Sequence, residues 1–378
     1  MRLHEYEAKK IFLQAGISTP RGEKARSPKE AEEITRKIAQ PVVVKAQVLV
    51  GGRGKAGGIR FAQSPEESGR IAEEMLGERI KEEICQELLV EKRLSIAEEL
   101  YAGITVDGTT GSPLVMFSRE GGVEIEGKAI ENPGKIKSRV VDIFRGLQGY
   151  EARKLVKEAG LGSETAVKVA EALYRLYRIF TSYDALITEI NPLVVTKEGT
   201  IVAADGILEI DDAGLYRHTE FEKFARERIP DPLAREGKEI GVSYVDLGGD
   251  IGVICSGAGL GMATIDLIGR RGRPANFLET GGGITEDQMA AAMRLVLKKS
   301  GLRGMIINLY GGINPIQEGA KGIVKVIRED GVNLPIVAKA LGNFQEETWR
   351  TLEEAGVTTV KTMETEKAVE VLFQRMKK

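Results

Sequence analysis

Histidine and cysteine are scarce in this chain, and their scarcity excludes several kinds of catalytic site. The only histidines in the sequence are His4 and His218, so neither an HExxH motif nor a Cys2His2 zinc site can be built. The two cysteines, Cys85 and Cys255, form no CxxC pair and are too few for a disulfide framework. No GxSxG motif is present, which excludes the serine nucleophile elbow.

Long apolar runs and an excess of one charge sign are also missing. The longest apolar runs, such as 41–44 and 305–307, are far too short to span a bilayer. Lysine and arginine number 54 against 56 aspartates and glutamates, a net charge of −2 that gives no general attraction to nucleic acid. The first residues carry charge where a signal peptide would be apolar. We therefore expect a soluble cytoplasmic protein with no nucleic-acid or membrane partner.

The pattern along the first half predicts a mixed α+β domain. The 378 residues exceed the usual length of one compact core. Capping boxes at 27–30 and 64–67, each with proline at the first helical position, predict two helix starts. Short apolar segments predict strands at 41–45, 59–61, 87–91, 101–107, 114–117, 185–190 and 201–205. The segment 226–238, dense in charge and proline, is interpreted as a linker.

The second half alternates more regularly and predicts an α/β domain. Apolar strands near 251–255, 275–278, 304–309, 335–339 and 357–361 are separated by helical patterns. This alternation is typical of a parallel sheet covered by helices on both faces, in which ligands bind beyond the carboxyl ends of the strands. We place the two domains at 1–235 and 236–378.

A glycine-rich loop follows the first predicted buried strand. Lys45 ends that strand, and five of the eight residues 51–58 are glycine, with Arg53 and Lys55 among them. Glycine amides can approach a phosphate without interference from a Cβ atom, and the cations favour the same ligand. A flexible hairpin tip is the alternative interpretation of the glycines alone.

Oxygen-bearing side chains form a second group of candidates. Asn191 and Asp205 end two apolar segments joined by a turn, so they can be neighbours in a hairpin and offer paired ligands to Mg²⁺. Turn chemistry at Asn-Pro and Asp-Gly is the alternative. Glu91 and Glu99 flank the segment after another strand, where one carboxylate can accept from a ribose hydroxyl, although exposed glutamates are usually only solvated.

Two strand ends in the second half are rich in glycine. The run 257–261 lacks the third glycine of GxGxxG, because Met262 stands in its place, which argues against a dinucleotide site. Gly311 and Gly312 precede Pro315, which we expect to begin a helix whose amides and dipole would attract an anion. An ordinary tight turn is the alternative.

Taken together, these segments resemble the β-subunit family of succinate–CoA ligases. The resemblance covers nearly the whole chain, and its motifs occur in the family's order: LHEYEAK at 3–9, VVKAQ at 43–47, GGRGK at 51–55, GGVEIE at 121–126, EINPLV at 189–194, GAGL at 257–260, PANFL at 274–278 and GGG at 281–283. It implies an ATP-grasp domain followed by a flavodoxin-like CoA-ligase domain.

The resemblance also implies roles for individual residues. Phosphate contacts would come from Lys45, Gly52, Arg53 and Gly54, and the nucleotide pocket would be lined by Glu91, Leu94 and Glu99. Mg²⁺ would be held by Asn191 and Asp205, and substrate or phosphate by Ser256, Gly312, Ile313 and Asn314. Glu189 would position a histidine that is phosphorylated during turnover. In the family, that histidine and the CoA site belong to an α subunit, with which this chain would form αβ or α2β2 and use ATP/ADP or GTP/GDP.

The sequence departs from the family pattern at four places, three of them in the second domain. Ser256 replaces a usual asparagine, 314–315 is Asn-Pro where a valine- or threonine-arginine pair is familiar, and Leu341 replaces a common acidic residue. The lysine often found two places after the metal aspartate is also absent, since Ile207 stands there. Succinate is the expected acid, and malate, another acid, or a nucleotide-binding regulatory subunit without turnover are the alternatives.

Overall fold

The computed structural model describes residues 1–122 and 133–377. The chain divides into two compact units, an N-terminal unit, Met1–Phe221, and a C-terminal unit, Glu222–Lys378. Residues 123–126, part of one of the similar motifs, lie outside the described residues. The domain limits 1–235 and 236–378 stay a prediction, and the division into compact units falls earlier in the chain.

The N-terminal unit combines helices with antiparallel strands. Its helices are α1 (Glu5–Gln14), α2 (Pro28–Ile38), α3 (Pro65–Met75), α4 (Gly149–Glu158) and α5 (Ser163–Ser182), and α6 (Thr219–Glu227) spans the division between the units. Its strands are β1 (Gly22–Ala25), β2 (Val42–Ala46), β3 (Ile59–Ala62), β4 (Arg79–Ile80), β5 (Glu83–Ile84), β6 (Leu88–Lys92), β7 (Ile96–Val106), β8 (Pro113–Ser118), β9 (Lys137–Val140), β10 (Ala185–Thr196), β11 (Ile201–Ala203) and β12 (Ile207–Ile210).

Local sequence signals explain where two of these helices begin. The hydroxyls of Ser27 and Ser64 accept the backbone N–H of Glu30 and Glu67, each 3.2 Å away, and proline follows each serine. These caps satisfy amide groups that would otherwise lack partners in the first turn. Both predicted helix starts are therefore confirmed.

Two antiparallel sheets carry the N-terminal unit. One has the strand order β1-β6-β2-β3, and the other has the order β11-β10-β7-β8-β9, with β12 paired to β10. The strand predicted to end at Ile190 continues to Thr196, because the pairing of β10 with β7 shifts between Ile190 and Leu193 and so accommodates Pro192. β11 ends at Ala203, two residues short of the predicted end.

The C-terminal unit is a mostly parallel sheet between helices. Its helices are α7 (Pro232–Ile240), α8 (Ala258–Gly269), α9 (Glu286–Leu297), α10 (Gln317–Asp330), α11 (Gln345–Glu354) and α12 (Thr365–Arg375). Its strands are β13 (Ser243–Asp246), β14 (Ile251–Cys255), β15 (Asn276–Glu279), β16 (Gly304–Gly311), β17 (Ile336–Gly342) and β18 (Thr358–Val360), in the order β13-β15-β14-β16-β17-β18. β13 is an antiparallel edge strand that the sequence did not predict.

Both faces of this sheet are buried, as the continuous apolar strands predict. Alternate residues of β14 and β16 belong to two separate core clusters: Ile254 and Ile307 to one, Val253 and Ile306 to the other. The five predicted strands and their parallel pairing are confirmed.

The linker predicted at 226–238 is wrong for most of its length. α7 begins at Pro232, where the carboxylate of Asp231 accepts the N–H of Leu233 at 2.8 Å. Leu233, Ala234 and Ile240 pack against the core of the C-terminal unit. Charge density misled the prediction because a helix with one apolar stripe can carry many charges on its other faces.

Candidate functional site

Six ionisable side chains from five parts of the N-terminal unit meet in what we name the buried charge cluster. Its members are Glu5 and Lys9 of α1, Lys45 of β2, Arg53 of the glycine-rich loop, Glu91 of β6, and Asp205 just after β11. Three cations face three carboxylates, so the formal charges balance. Buried charges are tolerated when they are paired and hydrogen-bonded in this way.

Lys45 lies at the centre of the cluster. Its ammonium donates to Glu5 Oε1 at 2.7 Å and to the carbonyl of Ala204 at 2.5 Å, and it lies 3.1 Å from Glu91 Oε2. Burial alone would lower the pKa of Lys45, but the carboxylates of Glu5, Glu91 and Asp205 outweigh burial and raise it. The lysine therefore carries a full charge at neutral pH.

Arg53 reaches from the glycine-rich loop into the same cluster. Its guanidinium donates to the Ala46 carbonyl at 2.8 Å, to both carboxylate oxygens of Asp205 at 3.0 and 3.1 Å, and to Glu5. Burial opposes the charge, yet Asp205 and Glu5 raise the pKa of Arg53 above its ordinary value. The side chain of Asp205 is 27% exposed, whereas that of Glu5 is 2% exposed, so Asp205 marks the open side of the cluster.

Glu5 and Lys9 belong to this site, although the sequence analysis gave them no role. Lys9 donates to the two carboxylate oxygens of Glu91 at 2.8 and 2.7 Å and lies 2.6 Å from Glu5 Oε1. Burial would raise the pKa of Glu5, but Arg53, Lys45 and Lys9 together hold it well below its ordinary value. The missed signal is spacing: both charges fall on the helix stripe that also buries Ala8 and Phe12.

The remaining residues expected to bind nucleotide are placed less uniformly. Glu91 is 2% exposed and engaged by Lys9 and Lys45, so its carboxylate lies inside the cluster rather than at a surface. Gly52 is exposed with a φ of +69°, and Gly54 is half-buried in the same turn. Leu94 is half-buried between β6 and β7. The nucleotide-binding roles of these residues stay a prediction.

Asn191 and Asp205 are neighbours across a hairpin, as their spacing predicted. β10 and β11 pair antiparallel with Leu193 opposite Ala203, and the Ala204 amide donates to the Pro192 carbonyl at 3.1 Å. One carboxylate and one amide oxygen on adjacent strands suit Mg²⁺, with phosphate oxygens completing its shell. Within 1–122 and 133–377, no group of three or more His, Cys, Asp and Glu side chains is arranged to hold a metal ion without such help.

Glu99 and Glu189 lie on the two central paired strands of the larger N-terminal sheet. The carboxylate of Glu99 lies against Gly122, where an added Cβ would come within 2.8 Å of Glu99 Oε2, and the Gly122 amide donates to Asn191 Oδ1 at 2.7 Å. Glu189 accepts from the hydroxyl of Tyr101 at 3.4 Å. Glu99 and Asn191 are thus brought to one place through Gly122.

The carboxyl edge of the C-terminal sheet holds the other predicted residues. Ser256, after β14, donates to the Tyr310 carbonyl at 3.2 Å and accepts the Tyr310 amide at 2.8 Å. Strand order reverses beside β14, since β15 and β16 lie on its two sides, and such a point is where ligands bind in open α/β sheets. The two glycine-rich strand ends are therefore neighbours at this edge.

The loop 312–314 is exposed at this edge, but it does not begin a helix as expected. α10 begins at Gln317 with Ile316 as its N-cap, so Pro315 precedes the helix instead of occupying its first position. Asn343 donates to the carbonyls of Gly312 and Ile313, both at 3.1 Å. The side chain of Asn314 lies against the glycines 282 and 283.

No helix in the described part of the chain is long and apolar enough to cross a membrane.

Comparisons with known proteins identify both halves of the chain. The ATP-grasp domain family matches residues 2–195, and the CoA-ligase family matches residues 254–372. The β subunit of the GDP-forming succinate–CoA ligase of Thermus thermophilus is 42% identical over 93% of both chains. The β subunit of the ADP-forming enzyme of Methanocaldococcus jannaschii is 43% identical over 96% of this chain and 97% of that one.

A solved structure shares the fold. ATP citrate lyase from Methanothrix soehngenii, in complex with citrate and coenzyme A, superimposes with a TM-score of 0.78 at 19% identity and covers 99% of both chains. At this identity the likeness concerns the fold alone. The predicted order, an ATP-grasp domain followed by a CoA-ligase domain, is confirmed.

Proposed function

The chain belongs to the β-subunit family of succinate–CoA ligases, and we propose that it is the nucleotide-binding subunit of a succinate–CoA ligase that relays phosphate through a histidine. In this relay, acyl-CoA and phosphate give an acyl phosphate and free CoA. The acyl phosphate phosphorylates the histidine and releases the acid, and the phosphohistidine then phosphorylates ADP or GDP.

The buried charge cluster is the observation that carries this proposal. Lys45 and Arg53, which is itself a residue of the glycine-rich loop, are held charged on either oxygen of Glu5, and Gly52 of that loop is exposed. Phosphoryl transfer needs little covalent help from a protein and depends on positioning and on neutralising charge. We assign Lys45, Arg53 and the loop glycines 52 and 54 to the nucleotide phosphates, and Glu91, Leu94 and Glu99 to the nucleoside.

Asn191 and Asp205 would hold Mg²⁺ on the open side of the cluster. When bound there, the ion would supply positive charge to the phosphate oxygens of the nucleotide. Asp205 is paired with Arg53 in this structure. Binding of the metal at Asp205 would leave Arg53 available to a phosphate, which links the two events.

We assign the phosphorylated histidine to a partner α subunit, which would also bind CoA. His4 is the N-cap residue of α1, and His218 is 8% exposed with its Nε2 2.9 Å from Asp184 Oδ2. Neither histidine is therefore placed to carry a phosphate between two sites. Glu189 would orient the partner's imidazole, and the complex would be αβ or α2β2.

The acid is assigned to the carboxyl edge of the C-terminal unit. Ser256 and the exposed loop 312–314 offer a hydroxyl, an amide side chain and backbone groups, with no cation among them. Such neutral donors suit a carboxylate or an acyl phosphate that is oriented rather than neutralised. Succinate is the proposed acid on the strength of the family.

The test is a labelling experiment with the chain alone and with its α subunit. Incubation with γ-labelled ATP or GTP and Mg²⁺, followed by an alkaline gel that preserves phosphohistidine, should label only the α subunit. Stoichiometric label on this chain, abolished by His4→Ala or His218→Ala, would contradict the assignment of the histidine to the α subunit.

A panel of acids then separates the related activities. Acyl-CoA formation by the complex with succinate, malate and other dicarboxylic acids should be fastest with succinate. Preference for another acid would correct the substrate, and nucleotide binding without any turnover would favour a regulatory subunit.

A further inference from the structure

The start of the first helix is hydrogen-bonded to two neighbouring segments of the N-terminal unit. The Leu3 amide donates to the Leu208 carbonyl of β12 at 2.9 Å, and the Tyr6 amide donates to Gln47 Oε1 at 3.2 Å, just after β2. Lys9 also donates to the Ala204 carbonyl at 2.7 Å. The start of α1 is therefore held at a fixed place beside the end of β2.

Glu5 bridges the two cations assigned to phosphate. Its Oε1 accepts from Lys45 at 2.7 Å, and its Oε2 accepts from Arg53. Lys9, one turn along the helix, lies 2.6 Å from the same carboxylate and keeps it in place. A carboxylate that uses one oxygen for each cation fixes the distance between them.

The burial of Glu5 indicates that it positions Lys45 and Arg53 and does not compete with phosphate for them. A carboxylate that merely occupies the place of a phosphate would lie at the open side, where a nucleotide enters. That description fits Asp205, whose side chain is 27% exposed, whereas the side chain of Glu5 is 2% exposed. Glu5 is more deeply buried than Lys45 and Arg53, whose side chains are 8% and 9% exposed, so it can stay bound to both while phosphate approaches their more exposed atoms.

We propose that Glu5 is a positioning residue of the nucleotide site, which holds Lys45 and Arg53 side by side for the phosphates of the nucleotide. The inference rests on the proposed function, since it assumes that these cations bind nucleotide. Lys9 gives Glu5 a third ion pair. Nothing in this role requires Glu5 to touch the nucleotide.

The principal experiment replaces Glu5 in the full chain assembled with its α subunit. Glu5→Gln keeps the shape and one acceptor oxygen but removes the charge that holds both cations. We expect the KM for the Mg-nucleotide to rise about tenfold, the scale of one charged hydrogen bond, with the KM for acid and for CoA unchanged. Glu5→Asp should recover part of the loss, and Glu33→Gln, the same change at an exposed position of α2, should have no effect.

Two further measurements keep the inference open to contradiction. If Glu5→Gln does not fold, Lys9→Met serves instead, because it removes one ion pair of Glu5 while the bonds of Lys45 and Arg53 to Glu5 are kept; we expect a rise in nucleotide KM of about threefold. A lowered melting temperature with an unchanged nucleotide KM would show a purely structural role and overturn the inference. A tighter nucleotide affinity would overturn it as well.

Calorimetry distinguishes this inference from the function on which it rests. If the wild-type chain binds no Mg-ADP or Mg-GDP, the proposed function is contradicted. If the wild type binds and Glu5→Gln binds equally well, only the role of Glu5 is contradicted.

Discussion

Two buried lysines, one in each unit, have opposite surroundings. Lys45 of the N-terminal unit is met by the carboxylates of Glu5 and Glu91. Lys339, on β17 of the C-terminal unit, is 5% exposed, and its ammonium donates to the amide oxygen of Asn308 at 3.3 Å. Asn308 in turn donates to Thr264 at 2.9 Å. One lysine is buried among charges, the other among neutral polar groups.

The pKa directions follow from these surroundings. Carboxylates overcome the effect of burial and raise the pKa of Lys45, whereas burial lowers the pKa of Lys339 despite the opposing effects of Cys255 and Glu364. Burial by itself therefore does not decide the direction in which the pKa of a lysine moves. The N-terminal unit holds buried cations, which we propose bind the phosphates of the nucleotide, and the C-terminal unit presents uncharged groups at Ser256 and the loop 312–314.

Of the substitutions predicted here, removal of the charge of Lys45 should have the largest effect on turnover. In Lys45→Met, Glu5 and Glu91 lose a common partner and the phosphates lose a cation, so we expect turnover to fall by about 2–4 kcal/mol of transition-state stabilisation. The melting temperature should also fall, because buried carboxylates are left underpaired. Steady-state kinetics of the complex and a thermal melt measure the two effects, with exposed Lys10→Met as control. Normal turnover would contradict the assignment of Lys45.

At the carboxyl edge of the C-terminal sheet, a change in side-chain size should have a larger effect than a change in charge. Gly342 has a φ of +120°, and an added Cβ would lie 2.2 Å from the Gly311 carbonyl oxygen. Gly342→Ala should therefore displace the loop 312–314 and cost about 2 kcal/mol of unfolding free energy. We expect the acid KM to rise while Mg-nucleotide binding stays unchanged.

The fluorescence of Trp349, the single tryptophan, follows unfolding of this unit, since its indole donates to the Ala340 carbonyl. Gly269→Ala, where an added Cβ meets nothing within 4 Å, is the matched control. Equal effects of the two substitutions would show that the close approach of Gly342 to Gly311 has no consequence.

Asp205, at the open side of the cluster, tests whether the N-terminal unit binds Mg²⁺ through a charged ligand. Asp205→Asn keeps the size of the side chain but replaces an anionic ligand with a neutral one, so half-saturation by Mg²⁺ should require about tenfold more metal. A Mg²⁺ titration of nucleotide binding by calorimetry measures it. Asp212→Asn, at an exposed position of the same unit, should leave the titration unchanged, and an unchanged Asp205→Asn titration would reduce Asp205 to an ion-pair partner of Arg53.

Of the predicted substitutions, Lys339→Met should have the smallest effect, and it should stabilise the protein. Because its pKa is lowered on folding, the unfolded lysine binds more protons, and the folded protein gains stability as the pH rises towards the ordinary value of 10.5. Lys339→Met should therefore raise the unfolding free energy by about 1 kcal/mol at pH 7, and the gain should fade towards pH 10.5. The raised pKa of Lys45 acts the other way: its contribution is complete below 10.5 and is lost above that value. Urea unfolding monitored through Trp349 measures Lys339; a loss of stability at pH 7 would contradict this prediction.

Local patterns predicted much of the fold and part of the site. Serine caps, short apolar strands and the hairpin that joins Asn191 to Asp205 depend on neighbours a few residues apart, which the sequence displays directly. The contact of Lys9 with Glu91 joins positions 82 apart in sequence, and no period reveals it. Pro315 shows the same limit at short range, because the loop before α10 is shaped by Asn343 on another strand end.

The ties between the first helix and the end of the N-terminal unit also bear on how the chain is made. Leu3 pairs with Leu208, and Lys9 binds the carbonyl of Ala204, so these two contacts form only after the ribosome has added roughly two hundred further residues. At typical elongation rates that interval is roughly 10–40 s. During that interval, residues 3 and 9 lack these two partners. Completion of the buried charge cluster is thus a late event of synthesis, because Asp205 follows Glu5 by two hundred residues.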